Sequence, residues 1–265
     1  MSTFKAVAVS AAKEAGAILM RNLGRLTREE IGRKMRADFV TRVDIASEQR
    51  IVEIIRTDFP DHTFLAEEAH RDKDGDLCWI IDPLDGTTNY IHSVPIFAVS
   101  IGLQIRGEMV LGVVYDPTRE ELFYGEKGGG AWLNDQPIRV STVDDPEAAL
   151  LATGYPFRVR HLLDRYQRSF NRLFLQVSGI RRAGSAALDL CYVACGRYDG
   201  FWELDLKPWD IAAAMIILQE AGGLITDFAG GDQVLKTGNT IASNRLLHTT
   251  IVDVVRTEFA GVVER

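Results

Sequence analysis

The sequence predicts a mixed α/β fold, and three observations carry this prediction. Residues 4–26 and the segment that begins at Asp44 space their apolar side chains as amphipathic helices do. Residues 97–124 contain three short apolar or alternating runs separated by turns, which predicts an antiparallel meander of strands. Beyond residue 162, helical and strand-like patterns alternate along the chain.

Length and composition are those of an ordinary globular domain. At 265 residues, with 46% hydrophobic and 25% charged residues, the chain can bury a substantial core. It has no Ser/Gly-rich linker, so we expect one domain over residues 1–265, with two halves that meet near residue 145. The net charge of -7 argues against a broad nucleic-acid-binding surface but allows a local basic patch. Without a signal-peptide pattern or an apolar run of membrane-spanning length, we expect a cytoplasmic protein.

The stretch WIIDPLDGTTN at residues 79–89 is the strongest candidate for a site of chemistry. An apolar run at residues 78–81 predicts a buried strand, which Asp82 and the following proline are expected to end. Asp82 and Asp85 then fall on a turn, Gly86 permits tight backbone geometry, and the next three residues can cap a helix. Two carboxylates beside free helix amides suit a cation and a phosphate together. The alternative is a structural turn that solvates its own aspartates.

Further acidic residues arrive from other parts of the chain. Glu67 and Glu68 follow a predicted strand, where adjacent acidic groups are unusual unless water or a cation neutralises them. Asp210 and Asp44 each stand at the start of a predicted helix, where the default role is an N-cap. Strand ends and helix starts meet in α/β layers, so we expect four carboxylates to converge. These are Glu67, Asp82, Asp85 and Asp210.

Four acidic groups in one place require divalent cations, and all-oxygen ligands favour Mg²⁺. Metal ions beside an anion-binding helix start predict hydrolysis of a phosphate ester by water. A thiol nucleophile is the rival, because Cys191 and Arg197 have the C-x₅-R spacing of cysteine phosphatases. Cys191 falls inside a predicted helix, however, and we interpret that spacing as chance. The three cysteines include no C-x-x-C pair and are expected to be reduced core thiols.

Two other segments have open interpretations. Residues 34–38 form a charged stretch that is either a lid over a phosphate site or a solvated connector. Residues 181–185, RRAGS, place cations beside a turn at a helix start, which suits phosphate or polyol recognition or a subunit interface. The acidic residues 72–76 lack the spacing of a calcium-binding loop and predict a solvated turn.

Several separated motifs together resemble the inositol monophosphatase family, specifically its bacterial branch. They are DPLDGTTN at residues 82–89, the Glu67-Glu68 pair before it and PWDIAA at residues 208–213, with further matches at residues 38–41, 184–187 and 220–223. The resemblance covers nearly the whole chain. It implies a five-layer αβαβα sandwich, a homodimer and a Mg²⁺-dependent, Li⁺-inhibited phosphatase acting on myo-inositol 1-phosphate and related small phosphomonoesters.

The resemblance also implies roles for individual residues. Glu67, Asp82 and the carbonyl of Leu84 would hold a first Mg²⁺, Asp82, Asp85 and Asp210 a second, and a third, weaker ion would share Glu67. Thr87, oriented by Asp44, would help Glu67 to activate the attacking water, and the amides of Gly86 and Thr87 would hold the phosphate. The residues implied on the substrate side are Asp85, Arg181, Gly184, Ser185, Ala186, Glu203 and Asp210.

Two alternatives to that activity stay open. The first is a relative that acts on another sugar or nucleotide phosphate, since the fold and the metals do not fix the substrate. The second is an interaction protein of the transcription antitermination machinery that binds RNA indirectly, without sequence-specific contacts of its own. Arg181, Arg182 and residues 34–36 would supply its surface. Ala66, where glycine is common in the family, and a short acidic loop at residues 69–77 leave the substrate preference open.

Overall fold

Two large β-sheets and three layers of helices make up the structure, a computed structural model that describes residues 3–35, 38–72 and 75–262. The helices are α1 (Thr3–Asn22), α2 (Arg42–Asp58), α3 (Thr87–Ile91), α4 (Leu163–Phe174), α5 (Ala186–Ala194), α6 (Pro208–Glu220), α7 (Val234–Thr237) and α8 (His248–Phe259). The strands are β1 (Ile31–Met35), β2 (Asp38–Thr41), β3 (Thr63–Ala66), β4 (Leu77–Asp85), β5 (Ala98–Ile105), β6 (Glu108–Asp116), β7 (Glu121–Glu126), β8 (Gly130–Leu133), β9 (Gln136–Ile138), β10 (Leu150–Thr153), β11 (Gly179–Arg181), β12 (Gly200–Glu203), β13 (Leu224–Thr226) and β14 (Thr240–Ser243).

The two sheets differ in topology. The first has seven strands in the order β3-β4-β5-β6-β7-β8-β9, antiparallel except for the parallel pair β3 and β4. This is the meander that the alternating middle of the chain predicts. The second has five strands in the order β11-β10-β12-β14-β13, in which β10 runs parallel to both of its neighbours. The parallel pairs bring the ends of β4, β10 and β12 to places where helices begin.

Helices separate and cover the sheets. α1 and α2 pack on one face of the first sheet, α5 and α6 lie between the sheets, and α8, with α4 against it, packs on the second. This arrangement confirms the layered α/β fold and its five-layer order. α6 approaches the first sheet closely because small residues meet there: a Cβ atom on Gly112 would lie 2.1 Å from the carbonyl oxygen of Ala213. The run of alanines in α6 therefore serves the close packing that the sequence indicates.

The structure differs from the sequence-based expectations at several boundaries. β4 does not end at Asp82 but continues to Asp85, with an irregular register between these two residues, so both aspartates lie on a bulged strand end rather than on a free turn. Residues 34–38 were expected to form a loop, lid or connector, yet β1 reaches Met35 and β2 begins at Asp38, and the two strands pair as an antiparallel hairpin. Arg36 and Ala37 of that segment, and Lys73 and Asp74 of the acidic turn, lie outside the described residues. Among the helices of the described chain, none has both the length and the apolar character that crossing a membrane requires.

Candidate active site

A cavity of about 230 Å³ lies where the ends of β4, β10 and β12 meet the starts of α3, α5 and α6. Most of the residues singled out from the sequence line it: Glu67, Asp82, Leu84, Asp85, Gly86, Thr87, Gly184, Ala186, Glu203 and Asp210. Three do not belong to the lining. Asp44 and Ser185 are buried behind it, and Arg181 is exposed with its guanidinium donating to the carbonyl of Ile180 at 3.3 Å.

Carboxylates in this cavity influence one another strongly. Burial, together with Glu67, Asp85 and Asp210, raises the pKa of Asp82 well above its ordinary value. Burial also raises the pKa of Asp85 to about 6 and that of Asp210 to about 7. The four side chains that the sequence predicts to converge therefore do line one cavity, in which the three aspartates are buried and Glu67 is half-buried. Their mutual repulsion is the electrostatic condition that a cation relieves.

Two basic side chains stand beside these carboxylates. Lys34 on β1 places its Nζ 2.8 Å from Glu67 Oε1 and 2.5 Å from Glu68 Oε1. Burial would lower the pKa of Lys34, but the two glutamates outweigh burial and raise it. Arg158 lies with Nη1 3.5 Å from Asp210 Oδ2. Arg158 was not anticipated, because no local pattern marks it.

The donor set has the chemistry of a magnesium site, since it consists of carboxylate oxygens and the Leu84 carbonyl. Within the described ranges, however, no three His, Cys, Asp or Glu side chains are grouped closely enough to enclose an ion. Two of the four carboxylates lie against organic cations instead, Glu67 against Lys34 and Asp210 against Arg158. The oxygen ligands suit Mg²⁺, and side-chain rearrangement would complete the cage.

Helix α2 organises one wall of the site. Thr41 is the N-cap of α2, and Asp44, three residues later, binds back to Thr41 in a capping box. Asp44 Oδ2 accepts hydrogen bonds from the backbone amide of Thr41 at 2.9 Å and from its hydroxyl at 2.5 Å. Asp44 Oδ1 faces the hydroxyl of Thr87, which lies 3.2 Å away and also 3.1 Å from the carbonyl oxygen of Leu84. Burial raises the pKa of Asp44 to about 6. Asp44 is therefore not the N-cap that its place in the sequence suggested, because Thr41 holds that position; Asp44 is its partner in the capping box, and its other oxygen lies toward Thr87.

One turn further along α2, Glu48 fixes the segment that carries Glu67. Its buried carboxylate accepts hydrogen bonds from the backbone amides of Glu68, Ala69 and His70, at 2.7, 2.8 and 3.0 Å. Sequence analysis missed Glu48. Its position four residues after Asp44, on the same helix face, is the signal that would have found it.

The start of α5 holds Asp85. Asp85 Oδ2 accepts from Ser185 Oγ at 2.6 Å and from the backbone amide of Ala187 at 2.8 Å. Next to Asp85, Gly86 has φ +95°, and a Cβ atom there would lie 3.0 Å from the carbonyl oxygen of Ile96. Ser185 therefore acts through Asp85, and glycine is required at position 86 for the turn into α3.

The far side of the cavity carries two further carboxyl groups. Glu203 ends β12 and lies against Gly154, where a Cβ atom would be only 1.8 Å from Glu203 Oε1. Burial raises the pKa of Glu203 to about 8. Arg182, and Asp189 on α5, also line the cavity; Arg182 belongs to the segment for which phosphate or polyol recognition was one open interpretation, whereas Asp189 was not named from the sequence. Of the RRAGS cations, Arg182 faces this cavity and Arg181 does not.

The structure excludes the thiol alternative. Cys191 lies inside α5, fully buried, as the sequence predicts. Burial raises the pKa of its thiol well above the ordinary value, the opposite of what a thiolate nucleophile requires. Arg197, its partner in the C-x₅-R spacing, pairs instead with Glu121 at 2.5 Å.

Comparison with known proteins agrees with this geometry. The model of the inositol monophosphatase family matches residues 1–259. The chain belongs to this family. Among inositol monophosphatase family relatives, Nus factor SuhB of Salmonella typhimurium is 44% identical over 261 residues, which cover 98% of each chain.

Two solved structures of the inositol monophosphatase fold are also close. The extragenic suppressor protein suhB from Bartonella henselae is 40% identical, with a TM-score of 0.93 over 98% of this chain and 100% of that one. The inositol monophosphatase from Anabaena is 41% identical, with a TM-score of 0.83 over 96% of each chain. Family membership and the layered fold are thereby confirmed.

Proposed function

We propose that the protein hydrolyses myo-inositol 1-phosphate and related small phosphomonoesters to the free alcohol and phosphate, in a Mg²⁺-dependent reaction. The observation that carries this proposal is that Glu67, Asp82, Asp85 and Asp210 line one cavity, in which the three aspartates are buried. Family membership supports phosphatase chemistry, and the name of the Anabaena relative supports inositol monophosphate as the substrate class.

The metal ligands are those that the resemblance to the family implies, and each of them lines the cavity. Glu67, Asp82 and the carbonyl of Leu84 would hold one Mg²⁺, and Asp82, Asp85 and Asp210 a second, with a weaker third ion at Glu67. When bound, such ions lower the pKa of water and neutralise charge on the leaving alkoxide. On binding these ions, Glu67 would lose its contact with Lys34, and Asp210 would lose its contact with Arg158.

The protein's own groups position the nucleophile and the phosphate. Thr87, whose hydroxyl lies between Asp44 Oδ1 and the Leu84 carbonyl, orients the attacking water together with Glu67, and Asp44 holds the Thr87 hydroxyl in place. The phosphate oxygens accept hydrogen bonds from the amides of Gly86 and Thr87, because the first amides of α3 have no partner within the helix. Water attacks phosphorus directly, without a covalent intermediate on the protein.

On the alcohol side, residues from both halves of the chain contact substrate. Asp85, Gly184, Ala186, Glu203 and Asp210 line the cavity there, with Ser185 acting through Asp85. Arg181 is exposed, so its part would lie at the cavity rim or at a subunit interface of a homodimer.

A substrate panel tests the proposal. Phosphate release from myo-inositol 1-phosphate, fructose 1,6-bisphosphate and adenosine bisphosphates is measured in Mg²⁺, with and without Li⁺. We expect hydrolysis of the inositol ester that Li⁺ inhibits, and a loss of at least ~10³-fold in Asp85→Asn, because that change removes a metal ligand. Asp253→Asn, at an exposed aspartate on α8, is the matched control. Near-normal turnover in Asp85→Asn would overturn the metal assignment.

A second function is suggested by the relatives named Nus factor SuhB. We infer from that name a role as an interaction protein of the transcription antitermination machinery, alongside or in place of hydrolysis. Complementation of a strain that lacks this protein separates the two functions. Growth rescued by catalytically dead Asp85→Asn would support docking, and rescue only by active protein would support hydrolysis.

A further inference from the structure

Asp189 lines the cavity wall, and neither the reaction nor the fold described above gives it a task. We propose that Asp189 binds substrate, by accepting a hydrogen bond from a hydroxyl group of the leaving alcohol, and that it discriminates between alcohols that offer this donor and alcohols that do not. This inference rests on the proposed function and adds a specificity-determining residue to the same site.

The position of Asp189 follows from the geometry of α5. Ser185 caps this helix, with its Oγ accepting from the amide of Leu188 at 3.3 Å. Ala186 and Asp189 are three residues apart, so they share a helix face, and both line the cavity. Because Ser185 and Ala187 hold Asp85 at the end of the same helix, Asp189 stands at a fixed offset from the predicted metal ligands.

The carboxyl group of Asp189 is buried, and one of its two oxygens lacks a partner among the described residues. The residue is only 1% exposed, and its Oδ1 has no hydrogen-bond partner among the residues that the structure describes. Buried polar atoms are almost always paired, since leaving one unpaired is costly. A carboxyl oxygen kept unpaired at a cavity wall is therefore explained by a ligand that brings the missing donor.

The neighbours of Asp189 define what that ligand must be. After burial, Glu203 contributes most to raising the pKa of Asp189, and Arg182 lowers the pKa of both carboxyl groups. An apolar or aromatic alcohol would leave Asp189 and Glu203 without donors, and an acidic one would be repelled by them. A neutral alcohol with several hydroxyl groups supplies donors to both. Sites built in this way reject analogues that lack the hydroxyl.

The test compares two substrates in two variants. Myo-inositol 1-phosphate offers hydroxyl donors to the far wall, whereas p-nitrophenyl phosphate offers none beyond its phosphate. For Asp189→Ala we expect kcat/KM for the inositol ester to fall about tenfold, mainly through KM, because the hydrogen bond to the substrate hydroxyl is lost. The p-nitrophenyl ester should change less than about threefold, since it never makes that bond. Asp189→Asn keeps an oxygen acceptor and should restore most of the selectivity.

Thermal unfolding separates binding from a structural role. Removal of an unpaired buried carboxyl group should leave Tm unchanged or raise it, whereas loss of a structural residue lowers Tm and the turnover of both substrates together. Equal effects on the two substrates, including no effect on either, would overturn the inference while the proposed function stood. Wild-type protein that hydrolyses neither ester in Mg²⁺ would overturn the proposed function, and this inference with it.

Discussion

The hydroxyl of Ser185 donates a 2.6 Å hydrogen bond to Asp85 Oδ2 and so joins the bulged end of β4 to the start of α5. These residues are one hundred positions apart in the chain. The backbone amide of Ala187 adds a second bond to the same oxygen. The candidate site is therefore assembled across the interface between the first sheet and the helix layer beneath it.

Ser185→Ala should weaken both the helix and the site. Loss of the N-cap is expected to lower the free energy of unfolding by about 1 kcal/mol. Asp85 would lose its side-chain partner, the Ser185 hydroxyl, and keep backbone amides, so kcat/KM for phosphate release should fall about tenfold as its orientation loosens. Chemical denaturation and steady-state kinetics measure the two effects. Ser185→Thr retains the hydroxyl and should behave as wild type, and unchanged turnover in Ser185→Ala would show that Asp85 needs no such support.

Glu48→Gln should act on Glu67 without touching substrate. The neutral amide loses the charge that strengthens its bonds to the Glu68, Ala69 and His70 amides, so we expect a loss of about 2 kcal/mol in unfolding free energy. The Mg²⁺ concentration needed for half-maximal activity should rise, because Glu67 is less firmly held. Glu53→Gln, at an exposed glutamate of the same helix, is the control. An unaltered Mg²⁺ requirement in Glu48→Gln would refute the link.

Gly154→Ala should displace Glu203. The added Cβ would lie 1.8 Å from Glu203 Oε1, so the carboxyl group must move, and we expect kcat/KM to fall about tenfold. A double-mutant cycle shows whether the effect passes through Glu203. In a Glu203→Ala background the same glycine substitution should cost little more, since its target is gone. Fully additive effects would mean that Gly154 acts by another route.

His248 should make stability depend on pH. Its ring lies between Thr226 and Ser243, 2.9 Å from each hydroxyl oxygen, and burial lowers its pKa from 6.5 to about 4. The folded protein holds this ring neutral, so its stabilising contribution is complete above pH 6.5 and is lost as pH falls toward about 4.

Denaturation of wild type and His248→Gln at several pH values measures that loss. The stability advantage of wild type should shrink by about 2 kcal/mol between neutral pH and the acid end of this range. His161→Gln, at an exposed histidine, is the control. A difference that stays constant with pH would contradict the assignment to His248.

The sequence predicts the mixed fold, the meander and the acidic cluster because each has a local signal. Asp82 and Asp85 follow an apolar run, and Asp210 opens a helix after proline and tryptophan. The residues that were missed owe their roles to tertiary contacts. Glu48 reaches backbone amides twenty residues away, and Arg158 meets Asp210 from a loop without periodicity.

Boundary errors have a similar origin. The hairpin of β1 and β2 is rich in charged residues and lacks the apolar alternation that predicts a strand, so its sequence indicates a loop. The two strands nevertheless pair with each other. β4 passes through Asp82 and the following proline because an irregularity in its register accommodates them, and such a bulge leaves no clear mark in one sequence. The sequence does not show whether Arg181 or Arg182 faces the cavity. Adjacent side chains along an extended segment point to opposite sides, and the position of the segment in the fold decides which side is the cavity.

Calorimetric titration of Mg²⁺ into the wild-type protein and Asp82→Asn, without substrate, tests whether the cavity carboxylates form a metal centre. We expect saturable binding to wild type and at least about tenfold weaker binding to the variant, since Asp82 is shared by both proposed ions. Asp253→Asn should bind as wild type does. Equal Mg²⁺ binding by wild type and Asp82→Asn, or no binding by either, would contradict the assignment of these carboxylates to a metal centre.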